Sequence, residues 1–352
     1  MPSFARREIV EADQVGIYHC VARCVRRAFL CGQDALSGKS FDHRKEWVQK
    51  RLEQLAAIFA VDICGFAVLS NHLHLVLRIR PDVVQNWSDE EVARRWWQLF
   101  PRHDEQGRAI ELEPHQLAAL LCDPRRLAQW RERLCSLSWF MRTLSEPIAK
   151  RANREDGCTG RFWEGRFKSQ ALLDEAAVLA CTMYVDLNPI RAGVVDRPED
   201  SAFTSAFERI AAREDSADAH AAEEQARDGW LAPLPDEDAT RMATQAPPRT
   251  APAIPRRASN RGFLPMLLDE YLRLLDWTGR QVRVGKRGAI PDYLQPILQR
   301  LNIQSDGWID TVRNFGRWFH RAAGRPDHLL ERAHRAGCRW FHGTAHSRQA
   351  FG

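Results

Sequence analysis

Paired cysteines are missing from this chain. Its 352 residues include nine cysteines, yet none forms Cys-x-x-Cys. The closest group, Cys20, Cys24 and Cys31, fits no common zinc spacing. The thiols therefore read as reduced and mostly buried, as in a cytoplasmic protein. No run approaches the roughly 20 apolar residues of a membrane span. The opening stretch, Met1-Pro2-Ser3-Phe4-Ala5-Arg6-Arg7-Glu8, lacks the apolar core of a signal peptide. Phosphate-loop and dinucleotide glycine signatures are absent, which argues against nucleotide-driven chemistry. No His-Glu-x-x-His and no internal repeat occur. Lysine is scarce beside arginine, and there are four tyrosines: Tyr18, Tyr184, Tyr271 and Tyr293.

Hydrophobic residues make up 44%, enough for a packed core, and the formal charge is +5. Mild basicity is compatible with nucleic acid, but the effect depends on where the charges lie.

The chain is organised around Val68-Leu69-Ser70-Asn71-His72-Leu73-His74-Leu75-Val76-Leu77. Apolar and polar residues alternate there, which predicts a β-strand. Side chains two apart share a strand face, so His72 and His74 point the same way, with Leu73 and Leu75 toward a core. The two imidazoles can form half of a metal site, or one is buried and one exposed without a task.

Residues 14–25 read as a first strand, Phe41 to Ala60 as a helix, and Val61 to Leu69 and Asn71 to Ile79 as two strands with a hairpin or bulge between them. Strand, helix, strand, strand opens a ferredoxin-like sandwich. The expected class is α+β, an antiparallel sheet with helices on one face. Pro81 to about Asp123 is polar and Trp-rich and reads as a helical insertion. Pro124 to Asn153 reads as a long helical stretch.

Residues 157–169 alternate Arg161, Arg166 and Lys168 with Phe162, Trp163 and Phe167. Cations that grip phosphates beside rings that stack bases suit single-stranded nucleic acid. Equally, the rings plug the core and the cations are solvated. A short last strand, 171–173, precedes Asp174, a plausible N-cap for a helix from Glu175 to about Leu187. Pro189 disfavours helix at Asn188, so the helix is expected to stop there. Tyr184 and Asn188, four apart, share its last turn. Tyr184 can also be a ring packed on the sheet, and Asn188 a plain helix end before proline. Tyr18 and His19 read as packing.

Residues 211–262, acidic and Ala-rich and then Pro- and Arg-rich, read as a flexible linker between a domain at 1–210 and a mostly helical region at 263–352. The arginines of that last region form either a solvated face or a nucleic-acid contact.

With His72-Leu73-His74, the Trp163–Ser169 loop and Tyr184-Val185-Asp186-Leu187-Asn188-Pro189-Ile190-Arg191 in view, residues 14–200 resemble the single-tyrosine HUH transposases, most of all the REP-associated tyrosine transposases. Ser70-Asn71 stands where that family often has Pro-Asn, which alters the turn and not the ligands. The resemblance implies that His72, His74 and Asn188 hold one divalent cation, Mg²⁺ or Mn²⁺, and that Tyr184 is the nucleophile. It implies cutting of single-stranded or hairpin DNA through a 5′-phosphotyrosine link, with Arg161, Trp163, Arg166, Phe167, Lys168 and Arg191 on the DNA. Family members occur as dimers with a shared site and as monomers, so it implies either state. The alternative is a catalytically silent hairpin-DNA-binding protein or repressor.

Overall fold

The computed structural model describes residues 8–25, 30–32, 38–218, 226–235, 256–282, 298, 303 and 307–351. Five strands form one sheet: β1 (Gly16–Arg23), β2 (Val61–Val68), β3 (His72–Ile79), β4 (Lys168–Leu172) and β5 (Ala322–Ala323). Their order is β2-β3-β1-β4-β5. β1 runs antiparallel to both β3 and β4, and β3 antiparallel to β2. The α+β class holds, and the first four strands keep the ferredoxin-like order. The sheet departs from the fully antiparallel expectation at one edge, where β5 pairs parallel with β4.

Alternation sorts β3 cleanly. Leu73, Leu75 and Leu77 are fully buried, each contributing about 1.5–3 kcal/mol of hydrophobic stabilisation. His72, His74 and Val76 face the other way. In register, His19 lies opposite Val76 and Arg23 opposite His72, so β1 presents His19 and Arg23 on the histidine face.

Helices cover both faces, not one. The helix α1 (His43–Ile58) packs on a later helix and on β2. The insertion contributes α2 (Pro81–Val84), α3 (Asp89–Leu99) and α4 (Pro114–Leu121). The expected long helical stretch is two helices, α5 (Pro124–Leu134) and α6 (Leu137–Glu155). They part at Cys135 and Ser136, where the Ser136 hydroxyl accepts from Trp139 N as an N-cap. Phe59 meets Phe140 edge to face at 5.4 Å, binding the α1 end to α6. Cys135 lies within electrostatic reach of Tyr18, on the face turned away from the histidines.

The histidine face belongs to α7 (Glu175–Asp186). Asp174 caps it as expected, its Oδ1 accepting from Ala177 N at 2.9 Å. A glycine in β2 leaves room on this face for Ser205, whose Oγ would sit 3.3 Å from a β-carbon at Gly65, while Thr182 of α7 would be in ordinary contact at 3.6 Å. The helix ends at Asp186 with Leu187 as its C-cap, as the sequence led one to expect, and Asn188 starts a separate short helix, α8 (Asn188–Arg191). Pro189 falls in the first turn of that new helix, where its missing N–H costs nothing.

The span expected as a linker is only partly outside the described residues. Residues 211–218 belong to α9 (Ser205–Asp218). Trp230 is buried against Phe66, and Ala232 N donates to Ile63 O at 2.8 Å. Ser259 N and Oγ bond to the buried Asp62 carboxylate, and Arg78 donates to the carbonyls of Arg261 and Gly262. These segments cover β2, which would otherwise leave an open sheet edge. Polar composition suggested a solvated linker because the buried partners lie far away in sequence, Arg78 184 residues from Gly262 and Asp62 197 residues from Ser259.

The C-terminal region is helical as expected, with α10 (Leu268–Val282), α11 (Trp308–Trp318), α12 (Pro326–Arg335) and α13 (Thr344–Phe351). It is not set apart: α11 packs on α7 and β5 extends the sheet. Asp174 ties the two together, its Oδ2 accepting from Arg325 N at 2.6 Å and meeting His328 Nδ1 at 2.9 Å. No described helix is long and apolar enough to cross a membrane.

Candidate metal and tyrosine site

β3, the end of α7 and the start of α8 bring together four residues singled out in the sequence. The rings of His72 and His74 lie 4.8 Å apart between centroids. Asn188 is buried, and its side-chain Nδ2 lies 3.2 Å from His74 Nε2. Tyr184 sets its ring edge-on to His74, centroids 5.6 Å apart. One turn on, the Arg191 guanidinium lies 4.4 Å from the centre of the Tyr184 ring. Helical spacing explains why 184, 188 and 191 face one way. All of this occurs within a single chain.

His72 Nδ1 lies 2.6 Å from Asn71 Oδ1. A carbonyl oxygen only accepts, so Nδ1 carries the proton and Nε2 keeps its lone pair. Burial, helped by Arg23, lowers the His72 pKa to about 4. His74 falls well below the ordinary value, first through burial and then through His19, His72 and Arg191. Both rings are therefore neutral near pH 7, the state a metal ligand needs.

Two imidazole lone pairs and an amide are a sparse donor set. A half-turn of the Asn188 amide puts Oδ1 where Nδ2 now meets His74. Such a set fits a hard divalent cation that keeps other positions for phosphate and water. Among the described residues no group of three or more His, Cys, Asp or Glu is arranged for a metal, so the histidine pair depends on that amide for a third protein donor.

The 157–169 loop folds against the end of β1: Val25 N donates to Phe162 O and Glu164 N to Arg23 O. This is the end of the sheet that carries His72. Phe162 is buried, and Trp163, half-buried, donates its indole N–H to Ser145 O at 2.9 Å. Phe167 is likewise half-buried against the core. The rings anchor the loop, while Arg161, Arg166 and Lys168 are exposed. None of the three makes an ion pair with the described residues.

Sequence reading missed several neighbours. Arg23 follows His19 by four residues, and period-two alternation alone would have put it on the histidine face. Asn71, read only as part of a turn, holds the His72 ring. Phe315 lies 5.9 Å from Tyr184 between ring centroids, and Arg313 O accepts from Arg191 Nη2 at 2.8 Å. Only tertiary folding brings α11 here, so no local signal pointed to it.

No family model and no curated protein matches the chain. A solved structure of a REP-associated tyrosine transposase bound to a REP hairpin is similar at 14% identity and a TM-score of 0.34, covering 60% of this chain and 86% of that one. A likeness of that strength establishes neither family nor activity.

Proposed function

We propose that this chain is a metal-dependent single-stranded DNA endonuclease and strand transferase, a transposase of the single-tyrosine HUH kind acting near hairpins. The observation that supports it is the convergence of His72, His74, Asn188 and Tyr184 within one chain. His72 Nε2, His74 Nε2 and the Asn188 amide would hold Mg²⁺ or Mn²⁺. The ion supplies charge neutralisation at a phosphoryl oxygen.

The phenolic oxygen of Tyr184 forms a bond to phosphorus and loses its proton. The bond from phosphorus to the 3′ oxygen breaks, and that oxygen takes up a proton. A 5′-phosphotyrosyl link and a free 3′-hydroxyl result. Arg191 places a positive charge beside the phenol as its proton leaves. Arg23, Arg161, Arg166 and Lys168, clustered at the His72 end of the sheet, suit a phosphate backbone. Because the link keeps the bond energy, a 3′-hydroxyl can reverse the step without ATP.

The test is incubation with single-stranded hairpin DNA and Mn²⁺. A covalent protein–DNA adduct is expected, absent in Tyr184→Phe and in His74→Ala. An adduct unchanged in Tyr184→Phe would overturn the assignment. A second reading, a silent hairpin binder or repressor, draws on the position of the Tyr184 hydroxyl against Gly316 on α11. It predicts hairpin binding that survives both substitutions, with no cutting on any substrate.

A further inference from the structure

His19 stands beside the site without belonging to the His72–His74 pair. It is 1% exposed, on the central strand β1. Its Nε2 lies 2.9 Å from His74 Nδ1. The ring centroids are 5.1 Å apart and the planes differ by 9°. With the nitrogens that close, the rings lie edge to edge in nearly one plane, as an N–H···N bond requires, and do not stack face to face.

One proton occupies that contact, and its owner decides what His74 can do. If it sits on His19, neutral His74 carries its own proton on Nε2. Two donors then face each other, since Asn188 Nδ2 is 3.2 Å away, and His74 has no lone pair there. If it sits on His74 Nδ1, Nε2 is bare and accepts from Asn188 or a cation. With Nδ2 of Asn188 toward His74 the second arrangement satisfies both contacts, and with the amide turned it is still the one that leaves a lone pair for a cation. It also makes His74 match His72, whose Nδ1 proton is held by Asn71.

His19 must then carry its proton on Nδ1, an atom with no hydrogen-bond partner among the described residues. Opposite His19 in the β1–β4 register stands Gln170, fully buried, with both amide atoms unpartnered. A buried amide bonded through neither atom is uncommon. Burial lowers the His19 pKa to about 4, and the Gln170 side chain, near enough to hydrogen-bond with the ring though short of strict hydrogen-bond geometry, offsets part of that lowering.

We propose that His19 is a positioning residue: its Nε2 takes the His74 Nδ1 proton and turns His74 Nε2 toward Asn188, with the Gln170 oxygen steadying His19 in turn. The ring alignment stands on its own; its use for a cation rests on the function proposed above. Partners of this kind behind a metal-bound histidine typically change metal affinity by roughly 10- to 100-fold.

Two measurements on the full chain test it. Ring ¹⁵N spectra of the metal-free protein should show His74 as the Nδ1–H tautomer; an Nε2–H tautomer overturns the proposal whatever the variants do. Mn²⁺ titration followed by electron paramagnetic resonance should show binding weakened by roughly 10- to 100-fold in His19→Phe, which keeps the ring but lacks the acceptor. Affinity should return to within a few-fold in His19→Gln, whose Oε1 can accept in place of Nε2. Wild-type affinity in a folded His19→Phe overturns the proposal. If the wild-type chain binds no Mn²⁺ yet holds the Nδ1–H tautomer, the metal reading falls and the positioning role stands.

Discussion

The hydroxyl of Tyr184 rests against the backbone of Gly316: a β-carbon at that glycine would lie 2.7 Å from the phenolic oxygen. That is inside van der Waals contact, so α11 and the tyrosine fit only because the residue is glycine. Gly316→Ala should cost about 1–3 kcal/mol through overpacking, measured by urea denaturation. Adding Tyr184→Phe removes the oxygen and should restore part of the loss. A double variant no more stable than Gly316→Ala alone would show that the clash lies elsewhere.

Asp186 anchors the C-terminal end of the tyrosine helix, two residues past Tyr184. Its Oδ1 accepts from the Ser205 hydroxyl and from Ala206 N, and its Oδ2 accepts from the Tyr271 hydroxyl at 2.5 Å. All three donors are buried with it. Asp186→Ala should destabilise by about 2–4 kcal/mol, since each orphaned buried donor carries its own desolvation cost. Equilibrium unfolding would read the loss, and a change under about 0.5 kcal/mol, the range of an ordinary surface substitution, would contradict it.

Acid should weaken the fold because its buried histidines resist the protonation that the unfolded chain accepts. His19 and His72 have folded pKa values near 4, against an unfolded value of about 6.5. Between those values the unfolded chain binds more protons, so acidification favours it. Their contribution is complete above about pH 6.5 and declines as pH falls toward 4. Arg23 and Arg191, the cations facing the cluster, act in the same direction. Carboxylates held low by arginine, such as Asp82 beside Arg80, act in a lower window. Denaturation midpoints from pH 7.5 to 5 should fall, and fall less steeply in His19→Phe. A flat profile in the wild-type chain would be the contrary result.

The loop next to His72 separates charge from packing. Replacing Arg161, Arg166 or Lys168 by Ala should leave stability within about 0.5 kcal/mol, as for surface positions. Each should reduce hairpin-DNA affinity and lower the salt slope of binding by about one. Trp163→Ala should instead lower the melting temperature, because its ring is wedged and its N–H bonded to Ser145 O. Filter binding at several salt concentrations, beside thermal melts, would sort the two kinds.

Most of the first 200 residues could be read directly. Alternation in β3 exposed His72 and His74 as a pair, because a half-polar strand writes its faces into the sequence. Asp174 identified itself as a cap, and helical spacing put Tyr184 and Asn188 together. What stayed hidden depends on distant partners. Trp230 and Ser259 lie in Pro-, Arg- and acid-rich stretches, and their burial follows only from meeting Phe66 and Asp62 on β2. His19 looked like packing because its task lies across the sheet, in the angle of its ring to His74.

The parallel pairing of β5 with β4 bears on how this molecule can be cut. A fragment stopping near residue 210 would keep all four antiparallel strands and every proposed ligand. It would also bare the outer rim of β4, whose Ala171 N and Leu173 N now donate to Arg321 O and Ala323 O, and would uncover the phenol of Tyr184. Such a truncated piece would seek a replacement ribbon from a sister copy, so clumping or strand exchange, and not a tidy minimal enzyme, is the outcome to plan for.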